Sequence, residues 1–166
     1  MKKTECYAGK IPRGPAIKVQ FFVNEKEISE VRLLPNKPNA AFEWEIVTKD
    51  APPRLAHLIE RWVESYCKKR QPEVPLPIAI AGLPPYTTRV LYILRDVPLG
   101  VTLSYKELAE VTGNPMGARA VGSACGRNPC PLIIPCHRVL ASKGLGGFSG
   151  GLEIKKALLD FEGIVY

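Results

Sequence analysis

The sequence predicts an α+β fold in two parts, residues 1–79 and 80–166. Three observations predict it. The first half alternates short β-rich runs with turn formers and then changes to a helical period. A proline-rich segment, Gln71 to Pro85, follows. The second half opens on short helical segments, two of them flanking a glycine-containing turn. A chain of 166 residues suits one or two small domains with a real core.

In the first part, Ile17 to Val23, Ile28 to Leu34 and Phe42 to Val47 read as strands. Asn24, Asn36 and Pro38 mark the turns between them. Pro52 and Pro53 open a helix, since a first-turn proline loses no helical hydrogen bond. Leu55, Leu58, Ile59, Trp62, Val63 and Tyr66 recur at helical spacing and form the face that packs on the sheet. His57 lies beside that stripe and reads as a structural or surface histidine. Lys68, Lys69 and Arg70 fall at the helix end, where cations suit the helix dipole. Gln71 to Pro85 reads as a stiff linker, because proline-rich segments are extended.

The second part begins with a helix near Thr87 to Arg95, then a turn at Pro98-Leu99-Gly100. Ser104 and Glu107 have capping-box spacing, which starts a further helix at Tyr105. That helix ends near Thr112-Gly113, Asn114-Pro115 breaks the chain, and another helix runs from about Gly117 to Arg127. Two short helices around such a turn fit a helix-turn-helix, although an ordinary helical hairpin has the same pattern. Gly117 to Arg127 is made almost wholly of small residues, with Arg119 the one long side chain in its first turns. Ala118, Gly122 and Ser123 would let the helix backbone approach phosphates closely. A single long side chain beside them acts as a wedge in a base stack, so the pattern fits a minor-groove deformer with low sequence specificity.

Bulk properties narrow the class. The hydrophobic fraction is 46% and the charged fraction 23%, as in a globular protein, and no apolar run is long enough to span a membrane. Met1 to Cys6 is charged with no apolar stretch behind it, so no signal peptide is expected and the cytoplasm is the default location. The net charge of +7 is spread over both halves and suits a polyanionic partner. The cysteines, Cys6, Cys67, Cys125, Cys130 and Cys136, are odd in number and form no C-x-x-C pair. Neither a disulfide framework nor a metal site is expected, since His57 and His137 are the only imidazoles available as further ligands.

The chemistry concentrates in Pro135-Cys136-His137-Arg138-Val139. It follows the apolar run Cys130 to Ile134 and precedes the glycine-rich Gly144 to Gly151. A cysteine beside a histidine suggests a nucleophile with its base, because the thiolate attacks carbon and the thiol does not. Joined to a nucleic-acid reader, it points to chemistry on DNA. A DNA-lesion binder without chemistry, a cysteine hydrolase and a plain DNA-binding regulator are the other readings, and the first leaves Cys136 without a role. The hydrolase leaves Arg119 and the helix-turn-helix without a role, and the regulator leaves the cysteine motif without one.

These residues resemble the O6-alkylguanine-DNA alkyltransferase family. The resemblance rests on Pro135 to Val139, Arg119-Ala120-Val121-Gly122, Arg127-Asn128-Pro129, Ser104-Tyr105 and Phe148-Ser149-Gly150-Gly151, and covers about residues 86 to 163. It implies a C-terminal winged-helix-like domain behind a small ribonuclease-H-like N-terminal domain, for which the first part has only a compatible pattern. It implies repair of O6-alkylguanine, and less readily O4-alkylthymine, in double-stranded DNA. The alkyl group would pass to Cys136 once, irreversibly and without cofactor, in a monomer that is cytoplasmic, or nuclear if eukaryotic.

The resemblance also assigns roles. His137 would act as base through a water molecule, oriented by Glu162, and Asn128 would support the cysteine loop. Arg119 would fill the gap left by a flipped base, and Tyr105 would rotate the target phosphate and touch the base. Pro131, Val139, Phe148 and Ser149 would line the base pocket, with the Ser149 N–H facing guanine O6. The family often has tyrosine where this chain has Phe148, so a donor to the leaving guanine is lost and slower transfer is expected. A carboxylate beside His137 is expected to favour imidazolium and, through it, the Cys136 thiolate.

Overall fold

The computed structural model describes residues 7–48 and 50–166. Cys6 and the charged N-terminal residues lie outside them. The chain divides into two compact units, Met1–Ala79 and Ile80–Tyr166. The class is mixed α+β.

In the first unit four strands, β1 (Ala8–Ile11), β2 (Ile17–Val23), β3 (Ile28–Pro35) and β4 (Phe42–Ile46), form a sheet in the order β1-β4-β2-β3. The β2–β3 and β1–β4 pairs are antiparallel, and β2–β4 is parallel. Alternation decides which face is covered: Ile17, Val19, Phe21 and Val23 are buried, as are Phe42, Trp44 and Ile46. Helix α1 (Pro53–Cys67) opens at Pro53 and buries Leu55, Ile59, Trp62, Val63 and Tyr66.

Two sequence expectations change here. Strand β1 has no signal in the sequence, because its four residues are too short to show a period. Its Gly9 lies under the Trp44 indole, where a Cβ would come within 2.5 Å of the ring nitrogen. The second change concerns the linker. Leu76 and Ile78 are buried, and the chain pairs back on the sheet through Ile28 N–H to Pro77 O and Ala79 N–H to Ile28 O, both 2.9 Å. The last prolines of that segment belong to the next helix, α2 (Pro85–Arg95), which begins two residues earlier than expected.

The second unit continues with β5 (Leu103–Ser104), α3 (Tyr105–Val111) and α4 (Ala118–Gly126). A 3-10 turn (Cys136–Arg138), β6 (Val139–Leu140) and α5 (Leu152–Phe161) complete it. The expected capping box is present: Glu107 N–H donates to Ser104 Oγ at 3.1 Å, and Ser104 N–H to Glu107 Oε2 at 2.7 Å. The α3–α4 turn is tight. Gly113 has a positive φ, and a Cβ on Gly117 would strike the Asn114 side chain. Strands β5 and β6 pair in parallel, Leu103 with Val139 and Ser104 with Leu140. That pairing joins the start of α3 to the segment leaving the cysteine turn.

Candidate active site

Cys136 sits on the 3-10 turn and is 5% exposed. The loop before it is held from inside by Asn128. The Asn128 side chain accepts from Cys130 N–H at 3.0 Å and donates to Ile134 O at 2.9 Å. The same amide nitrogen lies 3.2 Å from Cys136 Sγ. Within this loop Leu132 is buried at φ 77°, a conformation costly for a branched residue and persistent only where the surroundings impose it.

Behind the cysteine is a buried polar cluster. His137 Nε2 and Glu162 Oε1 are 2.7 Å apart. Glu162, just past the end of α5, also accepts from Arg138 twice: Nε to Oε2 at 2.8 Å and Nη2 to Oε1 at 2.9 Å. The remaining Arg138 arm donates to Val97 O at 2.7 Å. His137 Nδ1 is buried with no hydrogen-bond partner among the described residues. Glu162 can only accept once ionised, so the ring proton is on Nε2 and Nδ1 carries the free lone pair.

The electrostatics follow from burial and partners. Burial works against ionisation of Glu162, but the hydrogen bonds and charges of His137 and Arg138 prevail and hold its carboxyl at about 2. Burial pushes His137 below the ordinary imidazole value; Glu162 opposes this, while Arg138 and Lys155 reinforce it. Burial also pushes the Cys136 thiol up, against the opposing pull of Asn128 and Lys155. Both directions run against the expected imidazolium–thiolate pair and favour the uncharged form of each group. For His137 burial is the larger influence and Glu162 opposes it, and that carboxylate is shared with Arg138.

Cys136 opens on a cavity of about 750 Å³, within the second unit. Of the residues singled out in the sequence, Tyr105, Ala118, Arg119, Gly122, Phe148 and Ser149 line it with Cys136. Arg119 is exposed. The Tyr105 hydroxyl donates to Gly147 O at 3.3 Å, and burial, with Cys125 and Cys136 nearby, keeps it a phenol. Asn128, Ser123, Pro131 and Val139 are not among the lining residues. Asn128 acts from behind the loop, Ser123 is exposed on α4, Pro131 is half-buried in the loop, and Val139 is fully buried in β6.

Two members of the site escaped sequence reasoning. Arg138 is one. The other is Lys155, fully buried on α5 with its Nζ donating to Val139 O, Leu145 O and Gly147 O. This ammonium ties the cysteine segment to the glycine-rich loop. A lysine on the apolar stripe Ile154, Leu158, Leu159 was the available signal. Cys125 also lines the cavity, its thiol pushed up to about 12 by burial.

The chain matches the family model described as 6-O-methylguanine DNA methyltransferase, DNA binding domain, over residues 85–164. Over 160 residues it is 35% identical to the methylated-DNA–protein-cysteine methyltransferase of Homo sapiens, covering 90% of this chain and 77% of that protein. The chain belongs to the methylated-DNA–protein-cysteine methyltransferase family. A family member from Methanocaldococcus jannaschii is 49% identical over 80 residues, 48% of this chain and 47% of that one. Among solved structures, Mycobacterium tuberculosis OGT in complex with DNA superposes with a TM-score of 0.68 at 29% identity, covering 86% of this chain and 85% of that one. The residues of this candidate site all lie within the second unit and between residues 85 and 164, the span that the family model matches.

Proposed function

We propose that this chain reverses alkylation damage in double-stranded DNA by moving the alkyl group of O6-alkylguanine, and less readily O4-alkylthymine, to Cys136. The observation that carries the reading is the thiol of Cys136 on a cavity also lined by Tyr105, Arg119 and Phe148, with the His137–Glu162 pair behind it. Bond making is a displacement at the alkyl carbon. The Cys136 Sγ–C bond forms as the C–O6 bond breaks, guanine leaves with the electron pair, and the thiol proton passes through a water to His137 Nδ1. The guanine anion takes up that proton from His137 through the water as it is released, which restores the neutral imidazole. The product is a thioether, which thiol exchange does not reverse, so each chain acts once, and the chemistry as written uses no cofactor.

The target atom is hidden in a duplex, so the base must be flipped out, at a cost of a few kcal/mol that is least for a badly paired lesion. Helices α3 and α4 serve as the helix-turn-helix of a winged-helix-like domain. The small residues Ala118, Gly122 and Ser123 bring α4 against the minor groove, and Arg119 enters the stack. Phe148 and Ser149 close over the base, and the absence of a hydroxyl on Phe148 slows departure of guanine. The first unit is the ribonuclease-H-like part. The protein works as a monomer in the cytoplasm, or the nucleus of a eukaryote.

A lesion-binding protein that flips the base without chemistry is the second reading, and the presence of Cys136 disfavours it. A duplex with O6-methylguanine labelled in the methyl group separates the two. Label on the protein at one equivalent, lost in Cys136→Ala while binding is retained, supports repair. Binding without label, or label that persists in Cys136→Ala, overturns it.

A further inference from the structure

In the buried cluster behind Cys136, one carboxylate serves two cations. Glu162 receives His137 on Oε1 and the Arg138 fork on both oxygens, at 2.7 to 2.9 Å. Its side chain is fully buried, that of Arg138 is 5% exposed, and that of His137 is fully buried. A lone carboxylate against a buried histidine would stabilise imidazolium, and an imidazolium cannot accept the thiol proton. Something in the cluster has to provide orientation without protonation.

We propose that Arg138 is a positioning residue that keeps His137 a neutral base: it takes the charge of Glu162 into a two-pronged ion pair and leaves His137 only the hydrogen bond. The inference deepens the functional reading above and rests on it for the role of His137. Two independent features support it. Arg138 is anchored from its other side by Val97 O at 2.7 Å, so the fork is fixed and not merely nearby. The Arg138 guanidinium reaches both carboxylate oxygens, whereas His137 meets Oε1 alone. The charged groups acting on His137 are Glu162 just past α5, Lys155 of α5 and Arg138 of its own turn; the two cations oppose its protonation and Glu162 favours it.

The test reads His137 directly in the free, unalkylated protein, by following its imidazole carbon resonances through a pH titration. In Arg138→Met the midpoint rises by about one unit or more, tenfold in proton affinity. Loosening of the site would also raise it, by admitting water, so a double variant is required. In Arg138→Met/Glu162→Gln both charges are gone, and the midpoint falls back to the wild-type value or below, because burial and Lys155 remain. Neutralising both partners is also gentler on folding than removing one. If Arg138→Met does not fold, Arg138→Gln, which can still donate to Glu162 Oε2, is titrated in its place. An unchanged or lowered midpoint in the single variant, or a raised one that persists in the double variant, overturns the proposal. Transfer from free O6-alkylguanine is followed in parallel. A midpoint that moves while the acidic limb of transfer stays fixed would remove His137 as the base, and with it the relay, but would leave the electrostatics of Arg138 standing.

Discussion

Glu162 shows how much one buried residue can carry. Its carboxyl is held at about 2 against an ordinary 4.5. That difference corresponds to about 3 kcal/mol of stability at neutral pH. A carboxylate with a lowered folded value stabilises the fold above its unfolded value, and the contribution is lost as pH falls through the folded one. The wild-type protein should therefore lose this increment between about pH 4.5 and 2, as urea unfolding at a series of pH values would record. Glu162→Gln should be less stable at pH 7 by about 3–5 kcal/mol, because Arg138 is left buried without its partner. It should also lack that acid-dependent segment. A Gln variant as stable as wild type at neutral pH would mean the cluster is wetter than its geometry implies. From the sequence, Glu162 reads as a single partner for His137. The Arg138 fork removes that simplicity, and nothing in the spacing of Pro-Cys-His-Arg signals it.

At the scale of elements, the segments with strong local signals were the legible ones. The β2 alternation, the apolar stripe of α1 and the Ser104–Glu107 box each dictate their structure within a few residues. Strand β1 and the Ile28–Pro77 pairing were hidden because they depend on partners far away in sequence. The site divides the same way. Cys136, His137 and Arg119 announce themselves by type and context, while Lys155 acts through three backbone carbonyls that no motif records. Helix α4 gives the element-level prediction. It presents small residues and one exposed arginine to the cavity, so Arg119→Ala should slow repair in duplex DNA tenfold or more. Transfer from free O6-benzylguanine should barely change, since no base has to leave a stack. Single-turnover rates on the two substrates give the ratio. Equal losses would assign Arg119 to the chemistry and not to opening the duplex.

Across the whole molecule, the charge of +7 overstates what a polyanion can meet. Arg138 and Lys155 are buried and committed to internal partners. Around the cavity the exposed cations are Lys106 and Arg119, which line it, and Arg127 and Lys143, each adjacent in sequence to a lining residue. If these are the phosphate contacts, about four counterions are displaced on binding, and log affinity should fall with log salt at a slope of roughly −3.6. Between 50 and 200 mM salt, affinity would drop about two orders of magnitude, with little dependence on sequence. Lys106→Gln should flatten the slope by about one while leaving transfer from a free alkylated base unchanged. Fluorescence anisotropy of undamaged duplexes of several sequences across that salt range measures both effects. A nearly flat salt dependence would place the contacts elsewhere. A strong preference for one undamaged sequence would favour a regulator that reads base edges, for which the small side chains of α4 provide almost no donors or acceptors.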